Sequence, residues 1–398
     1  MKTRSIAVLV LAQVLAMSLW FVSSAVLADL TRETGLSVSR AALLGSSVSA
    51  GFVLGALLLG ITGLPDRVDP RRLFAASALL AGIANASLAV LDVHGPLVVL
   101  GRALVGFALA GVYPVGMKIA VGWGTKDRGW LVGLLVGGLT LGSAAPHLLS
   151  FASGSDWRAT TLGASLLVVV AACLILTARL GPHHTAAPRF DPSSALLAWT
   201  DRRIRRAYAG YLGHVWELYG VWAWIATALL ASYATRMDAT AAAQAAKLTA
   251  FVAIAAGAAL CPIAGSLADR IGKARLTVLA MTVSGGAALL AAATFGGPPW
   301  LFGAVVVVWG AAVIPDSAQF SALVADAAPP DKVGSLLTLQ TALGFALTVI
   351  TVQAVPWVAG VIGWPVTFVV LALGPLAGTV AMLPLAREER VARTVRAA

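Results

Sequence analysis

Residues 265–275 read Gly265-Ser266-Leu267-Ala268-Asp269-Arg270-Ile271-Gly272-Lys273-Ala274-Arg275. The stretch lies between two apolar runs, 248–267 and 276–295. Each run has about the 20 residues an α-helix needs to cross a bilayer, so the stretch reads as a tight turn at a membrane face. Asp269 is its lone carboxylate, among Arg270, Lys273 and Arg275. It can pair with one of these cations, or sit at the N-terminus of a neighbouring helix, where an anion gains about 0.3–1 kcal/mol. Arginines alone would mark the inner face of a membrane. The added spacing of Gly265, Asp269, Arg270, Gly272 and Lys273 reads as a gating loop.

Working outward, apolar runs recur at 6–28, 41–62, 73–91, 97–119, 130–151 and 160–180, then at 207–233, 248–267, 276–295, 300–324, 335–358 and 364–385. The chain of 398 residues is 59% hydrophobic and 11% charged. Soluble domains are about 45–50% apolar and about 25% charged, which excludes a soluble enzyme, a disordered chain and a nucleic-acid binder. The N-terminal run after Lys2 and Arg4 exceeds the roughly 7–15 residues of a secretion-signal core, so it is read as an uncleaved first helix. The polar stretch from Arg179 to Arg206, with Pro182, His183, His184, Pro188 and Pro192, separates two sets of six helices. The expected organisation is a first bundle at 1–180, a cytoplasmic linker at 181–206, a second bundle at 207–386 and a basic tail at 387–398.

The net charge of +11 follows from topology and not from a polyanionic partner. Segments on the side of the N-terminus hold Lys2, Arg4, Arg67, Arg71, Arg72, Lys126, Arg128, Arg270, Lys273, Arg275, Lys332 and the arginines of the linker and tail. Opposite segments hold only Arg32, Arg40, Arg158, Arg236 and Lys247. Cytoplasmic loops carry the excess of Lys and Arg, so a multi-pass protein of the cell (inner or plasma) membrane with both termini cytoplasmic is expected. The halves also echo each other: Asp66-Arg67 and Arg128-Gly129 recur at Asp269-Arg270 and Val333-Gly334, at a near-constant offset. Transporters are often built from such repeats, with the site near the midplane between them.

The 265–275 loop resembles the G-x-L-A-D-R-x-G-(R/K) loop of the major facilitator superfamily. The first-half copy, Thr62 to Arg72, keeps Asp66, Arg67, Arg71 and Arg72 but lacks the leading glycine in register and has Asp69-Pro70 where the second glycine belongs. Arg102 and Gly106 are similar to the family's R-x-x-x-G in its fourth helix, and Asp156-Trp157-Arg158 is also family-like. The resemblance implies an all-α polytopic fold of two six-helix bundles related by a pseudo-twofold axis, rocking about a central cavity. It makes Asp269, Arg270, Gly265, Gly272, Lys273, Asp66 and Arg67 gating-loop residues, and gives Arg102 a role in tuning or pairing a carboxylate. Two departures matter. The fifth helix has Gly138-x-x-x-Gly142 with Pro146 displaced from the antiporter pattern, and the arginines and asparagine typical of nitrate porters are absent, which disfavours nitrate.

Ionisable groups inside a membrane cost at least about 2.5–3.5 kcal/mol at a helix centre and are site candidates by default. In the seventh run His214 and Glu217 share a helical face with Tyr211 one turn below. Such a His214–Glu217 pair can load and lose a proton near neutral pH, with Glu217 as the carrier; the alternative is a neutral pair whose members satisfy one another within the bundle. In the tenth run Pro315 frees a backbone carbonyl, Asp316 follows and Gln319 lies one turn on. Either they line a cavity or Asp316 caps the freed backbone. The fourth run carries Arg102 and, on the same face, Tyr113; Arg102 either holds an anionic group, tunes a carboxylate, or is structural. Lys118 is expected to snorkel, and His147 to be a gate or interface residue. Of Trp20, Phe21, Trp216, Trp222, Trp224 and Trp309, most are expected to pack and one or two to line a cavity for an organic substrate.

No G-x-x-x-x-G-K-[ST] loop is present to bind a nucleotide, and no HExxH or GxSxG motif suggests an enzyme. Cys173 and Cys261 have no metal spacing, and His214-x-x-Glu217 lacks further ligands, so neither metal nor cofactor is expected. The expected function is proton-coupled secondary transport of a small organic solute, anionic or zwitterionic, by alternating access in a lipid bilayer, by a monomer. The alternatives are a uniporter or small-anion permease without proton coupling, and a transport-inactive receptor or scaffold.

Overall fold

The computed structural model describes residues 1–124, 127–183 and 190–397. Lys126, His184 and Pro188, used in the charge and linker readings, lie outside the described residues. Among the described residues ten helices are long and apolar enough to cross a membrane. To these is added a first helix in pieces, and the last of the ten bends back on itself to make two crossings. The crossings are α1 (Lys2–Met17, continued by Val22–Ala25 and Leu27–Thr34), α2 (Val38–Thr62), α3 (Pro70–Val90), α4 (Pro96–Leu109 and Tyr113–Val121), α5 (Arg128–Ala152) and α6 (Trp157–Leu176). After the short Pro192–Ser194 and Ala195–Thr200 segments come α7 (Arg202–Tyr233), α8 (Ala239–Ile271), α9 (Lys273–Thr294) and α10 (Pro299–Ala312 and Ser317–Ala327). The run Val333–Ala397 holds α11 at 333–362 and α12 at 364–397, divided at Gly363, whose φ of 83° only glycine adopts easily. Twelve crossings put both termini on one face, here the terminal face.

The helix starts are set by acceptors in the sequence. The side chains of Asp69, Asp156, Asp201 and Asp238 accept from backbone N–H groups of the first turns of α3, α6, α7 and α8, satisfying donors that a helix start leaves open. Asp69 is also gripped by Arg71 at 2.6 Å, and that guanidinium holds its carboxyl down at about 2. The breaks in α4 and α10 fall just before Pro114 and around Pro315, where a proline cannot donate to the preceding turn.

Close backbone approach repeats in the two halves. An added Cβ at Gly51 would fall 1.8 Å from the Ala103 carbonyl oxygen, and one at Gly106 1.8 Å from that of Val48, so α2 and α4 touch backbone to backbone. In the second half the counterparts are Gly257, 2.6 Å from the Gly310 oxygen, and Gly310, 2.2 Å from that of Ala253. Small residues permit such contacts in lipid, where apolar burial supplies little net drive between helices. Between the halves, α5 lies along α8 and α2 along α11.

The terminal face is tied by charge. Lys118, expected to snorkel, reaches that face but ends on the carboxylate of Asp66 and, at 2.9 Å, the Pro65 carbonyl. Lys273 pairs with Asp326 at 2.6 Å. The 387–397 stretch continues α12 as helix. Its Glu389 accepts from the N–H groups of Ala274 and Arg275 at the start of α9, and Arg393 donates to the carbonyls of Asp269 and Arg270.

Gly106→Ala is expected to lower stability by about 1–3 kcal/mol through overpacking, read as a fall in the Tm of detergent-purified protein. Gly163→Ala, where nothing lies within 4 Å of the added carbon, is the control and should leave Tm unchanged or slightly raised. Equal Tm values for the two would refute the backbone contact.

Candidate functional site

The break in α10 creates the first feature. Asp316 stands at the start of the second piece, and its carbonyl accepts from Gln319 N–H at 2.8 Å. Its carboxylate makes no capping bond. Instead Oδ1 lies 3.0 Å from Nδ1 of His214 on α7. The two are out of line for a hydrogen bond, so Asp316 Oδ1 lacks a hydrogen-bond partner; on the other side of the ring His214 Nε2 lacks one as well. Each residue is 1% exposed. Phe320 and Tyr211 lie beside His214 with tilted rings, centroids at 5.4 and 6.3 Å. Gln319 is buried on the next turn.

Glu217 does not pair with His214, contrary to the sequence expectation. Its carboxylate accepts from Ser284 Oγ of α9 and from Trp309 Nε1 of α10, both at 2.8 Å. Residues three apart on a helix still diverge by roughly 60° around its axis, enough here for the two side chains to meet different neighbours. Glu217 is therefore held inside the second bundle by two donors, while the acid facing His214 comes from α10.

Arg102 also departs from the reading that gave it a carboxylate partner. It is wholly buried and donates to Asn85 Oδ1 at 2.7 Å, to the carbonyls of Trp20 and Leu19 at 3.0 and 3.3 Å, and to Ser23 Oγ at 3.4 Å. It spans the gap at 18–21, where α1 is broken and its carbonyls lose their helical partners. Its bonds all stay within the first bundle. Tyr113, at the start of the second piece of α4, is half-buried and faces the other bundle, within electrostatic reach of Cys261 and Tyr211.

Asp269 takes the helix-terminus option. Its Oδ2 lies 3.4 Å from the position of a Gly129 Cβ, against the first turn of α5, and Gly265 packs on the Gly129 carbonyl. Arg270 and Arg67 are exposed, and Gly272 forms the turn into α9 with φ 108°. His147 is fully buried on α5 with neither ring nitrogen bonded.

Two features escaped the sequence. On the face opposite the termini, Lys247 of α8 donates to Asp29 in the continuation of α1 at 2.6 Å, and to the carbonyls of Ser150 and Gly154 at the end of α5. Lys247 and Asp29 are only 5% and 4% exposed. This buried ion pair joins the two bundles. In the sequence Lys247 counts only as one of the outer-segment cations, and Asp29 simply follows the first apolar run. The second is a ring cluster between the bundles. Trp20 packs on Phe52, Phe345 and Tyr219 at 4.9, 5.3 and 6.0 Å, and Phe21 on Trp222 at 5.7 Å. The single tryptophans were visible in the sequence, but not their convergence. Trp216, Trp224 and Trp309 bond to the Val370 carbonyl, the Val352 carbonyl and Glu217, and pack as expected.

Residues 9–350 match the sequence profile of the Major Facilitator Superfamily. The chain belongs to that family. It is therefore an all-α multi-pass membrane transporter of the superfamily, as the loop motif implied. A crystal structure of a mutant of the nucleoside transporter NupG superposes with a TM-score of 0.73 at 16% identity, covering 96% of this chain and 98% of that one; the likeness is one of fold. A gallate transporter of Pseudomonas putida is 32% identical over 140 residues. That match spans 31% of this chain and 31% of the gallate transporter.

Removing one partner of a buried ion pair strands the other charge and costs about 3–5 kcal/mol. Asp29→Asn, which leaves Lys247 buried without its carboxylate, should lower Tm markedly. Lys247→Met should cost less, because Arg32 still donates to Asp29 at 2.8 Å. The double variant should recover part of the Asp29→Asn loss. A double variant no more stable than the sum of the singles would show that the pair is not coupled.

Proposed function

We propose that the protein is a proton-coupled secondary transporter of a small organic solute. It works by alternating access in the cell membrane, with the terminal face in the cytoplasm. The observation that carries the coupling is the His214–Asp316 contact at the break of α10. It places an acid and a base 3.0 Å apart, deep in the bundle, each with an atom free to take up a further hydrogen bond. Ionisable groups at such depth mark proton relays. A proton can pass onto this pair without breaking another bond, whereas protonating Glu217 would disturb its contacts with Ser284 and Trp309. The second piece of α10 also packs against α5 of the first bundle, so a change of charge at Asp316 is felt where the bundles meet.

Access alternates between two closures. The Asp29–Lys247 pair closes the outer side; the Asp269 loop against α5, and the α2–α11 contact, close the cytoplasmic side; the ring cluster lies between the two closures. The excess of Lys and Arg on the terminal face supports the orientation. The names of the two similar proteins, a gallate and a nucleoside transporter, support a small organic solute as cargo.

Reconstituted vesicles test the reading. Asp316→Asn should abolish accumulation of solute driven by a proton gradient while sparing solute exchange, because exchange moves no net proton. Glu217→Gln should retain accumulation at a reduced rate. If accumulation survives Asp316→Asn and is lost only with Glu217→Gln, the proton travels on Glu217. If exchange and accumulation in the parent ignore the proton gradient altogether, uncoupled transport replaces this reading.

Asp269→Asn should reach the membrane in normal amount but turn over at least about tenfold more slowly, a loss of about 1.4 kcal/mol in barrier terms. An unchanged transport rate at equal abundance would remove Asp269 from the gating machinery.

A further inference from the structure

Six aromatic side chains meet near mid-depth between the bundles: Trp20 and Phe21 of the α1 break, Phe52 of α2, Tyr219 and Trp222 of α7, and Phe345 of α11. Phe52 lies ten residues from the terminal-face end of α2, and Phe345 twelve from that of α11, so both sit about 15–18 Å into the membrane. Phe52 and Phe345, from different bundles, have ring centroids 4.4 Å apart, and Tyr219 packs edge-on against Phe345 at 5.1 Å. Aliphatic side chains would seal such an interface equally well. Rings instead offer flat faces and polar edges that favour other rings. Trp222 adds a donor: its indole Nε1 is buried, at 1% exposure of the residue, and has no partner. The neighbouring indoles of Trp216 and Trp224 both donate to carbonyls.

We infer that this inter-bundle ring cluster is the binding platform for a solute built on one planar aromatic ring bearing an oxygen acceptor, given that the chain transports by alternating access as proposed above. When the bundles part, each ring loses its partner from the other half. A planar aromatic solute replaces those ring–ring contacts on both sides at once and gives Trp222 Nε1 its missing acceptor. A saturated ring of the same size lacks the flat face and the ring quadrupole. The ring faces come from both bundles, so the occupied site favours neither closure alone and the solute can be carried through the exchange.

The test is direct binding to detergent-purified protein by calorimetry, with benzoate against cyclohexanecarboxylate and benzamide against cyclohexanecarboxamide. The head groups match within each pair and only the ring differs. At least one aromatic member should bind tenfold or more tightly than its saturated partner. Tyr219→Leu and Phe345→Leu should each erase that ratio with Tm close to the parent's. Trp222→Phe should keep the ratio but weaken binding of both members severalfold. Should one leucine variant fail to fold, the other decides. Equal binding within both pairs, no binding of either aromatic member, or a ratio untouched by the leucine variants would each overturn the platform. Vesicle uptake separates this from the transport reading. Aromatic probes that bind but do not move would count against transport and leave the platform standing. Non-aromatic solutes accumulated with no ring preference would count against the platform alone.

Discussion

Within a bilayer no water is at hand for a polar group, so each must find its partner inside the protein. That constraint organises this molecule. Arg102 could not lie at 0% exposure without acceptors, and it finds them in Asn85 and in the carbonyls left open where α1 breaks. Together with Asn85 and Ser23, the broken helix supplies acceptors for both terminal nitrogens of the buried cation, while Nε stays unbonded. Glu217 is held in the same way by Ser284 and Trp309. Against this background the groups left without partners are informative. Among them, alongside His147 on α5 and Arg102 Nε, are His214 Nε2 and Trp222 Nε1 on α7 and Asp316 Oδ1 at the α10 break, beside the surface where the bundles meet.

The same constraint explains the glycines. Helices in lipid gain little from hiding apolar surface from one another, so they associate through close contact. Gly51 and Gly106 bring α2 against α4, and Gly257 and Gly310 bring α8 against α10. The equivalence of these pairs is a stronger sign of duplication than the loop motifs, whose first copy has drifted. The prolines that break α4 and α10 belong to the same duplicated pattern. In the second copy the break acquired Asp316, so a symmetric scaffold carries an asymmetric charge.

The two faces of the membrane are held by different means. On the opposite face one buried ion pair, Asp29–Lys247, is backed by carbonyls at the end of α5. On the terminal face the links are more exposed and more numerous: Asp66 with Lys118, Lys273 with Asp326, and Glu389 and Arg393 of the α12 extension on the 269–275 turn. A buried pair is costly to break one partner at a time, while exposed pairs contribute little individually. The terminal-face links each lie within one bundle, whereas Asp29–Lys247, like the Gln353–Ser46 hydrogen bond at 2.7 Å, joins one bundle to the other.

The sequence by itself determined the membrane class, the spacing of the crossings and the family, because hydropathy, loop charge and the 265–275 motif are local properties of the chain. It also identified the depth-buried residues Arg102, His214, Glu217 and Asp316, since any charge in an apolar run stands out. It did not determine their partners. Helical periodicity put His214 and Glu217 on one face, but the choice between them was made by α9 and α10, which bring Ser284, Trp309 and Asp316 from 67 or more residues away. Lys247 and Asp29, 218 residues apart, and the six rings drawn from four helices could be joined only by the packing of one bundle on the other. The tertiary structure decided those pairings, because pairing within a membrane is settled by which helices touch.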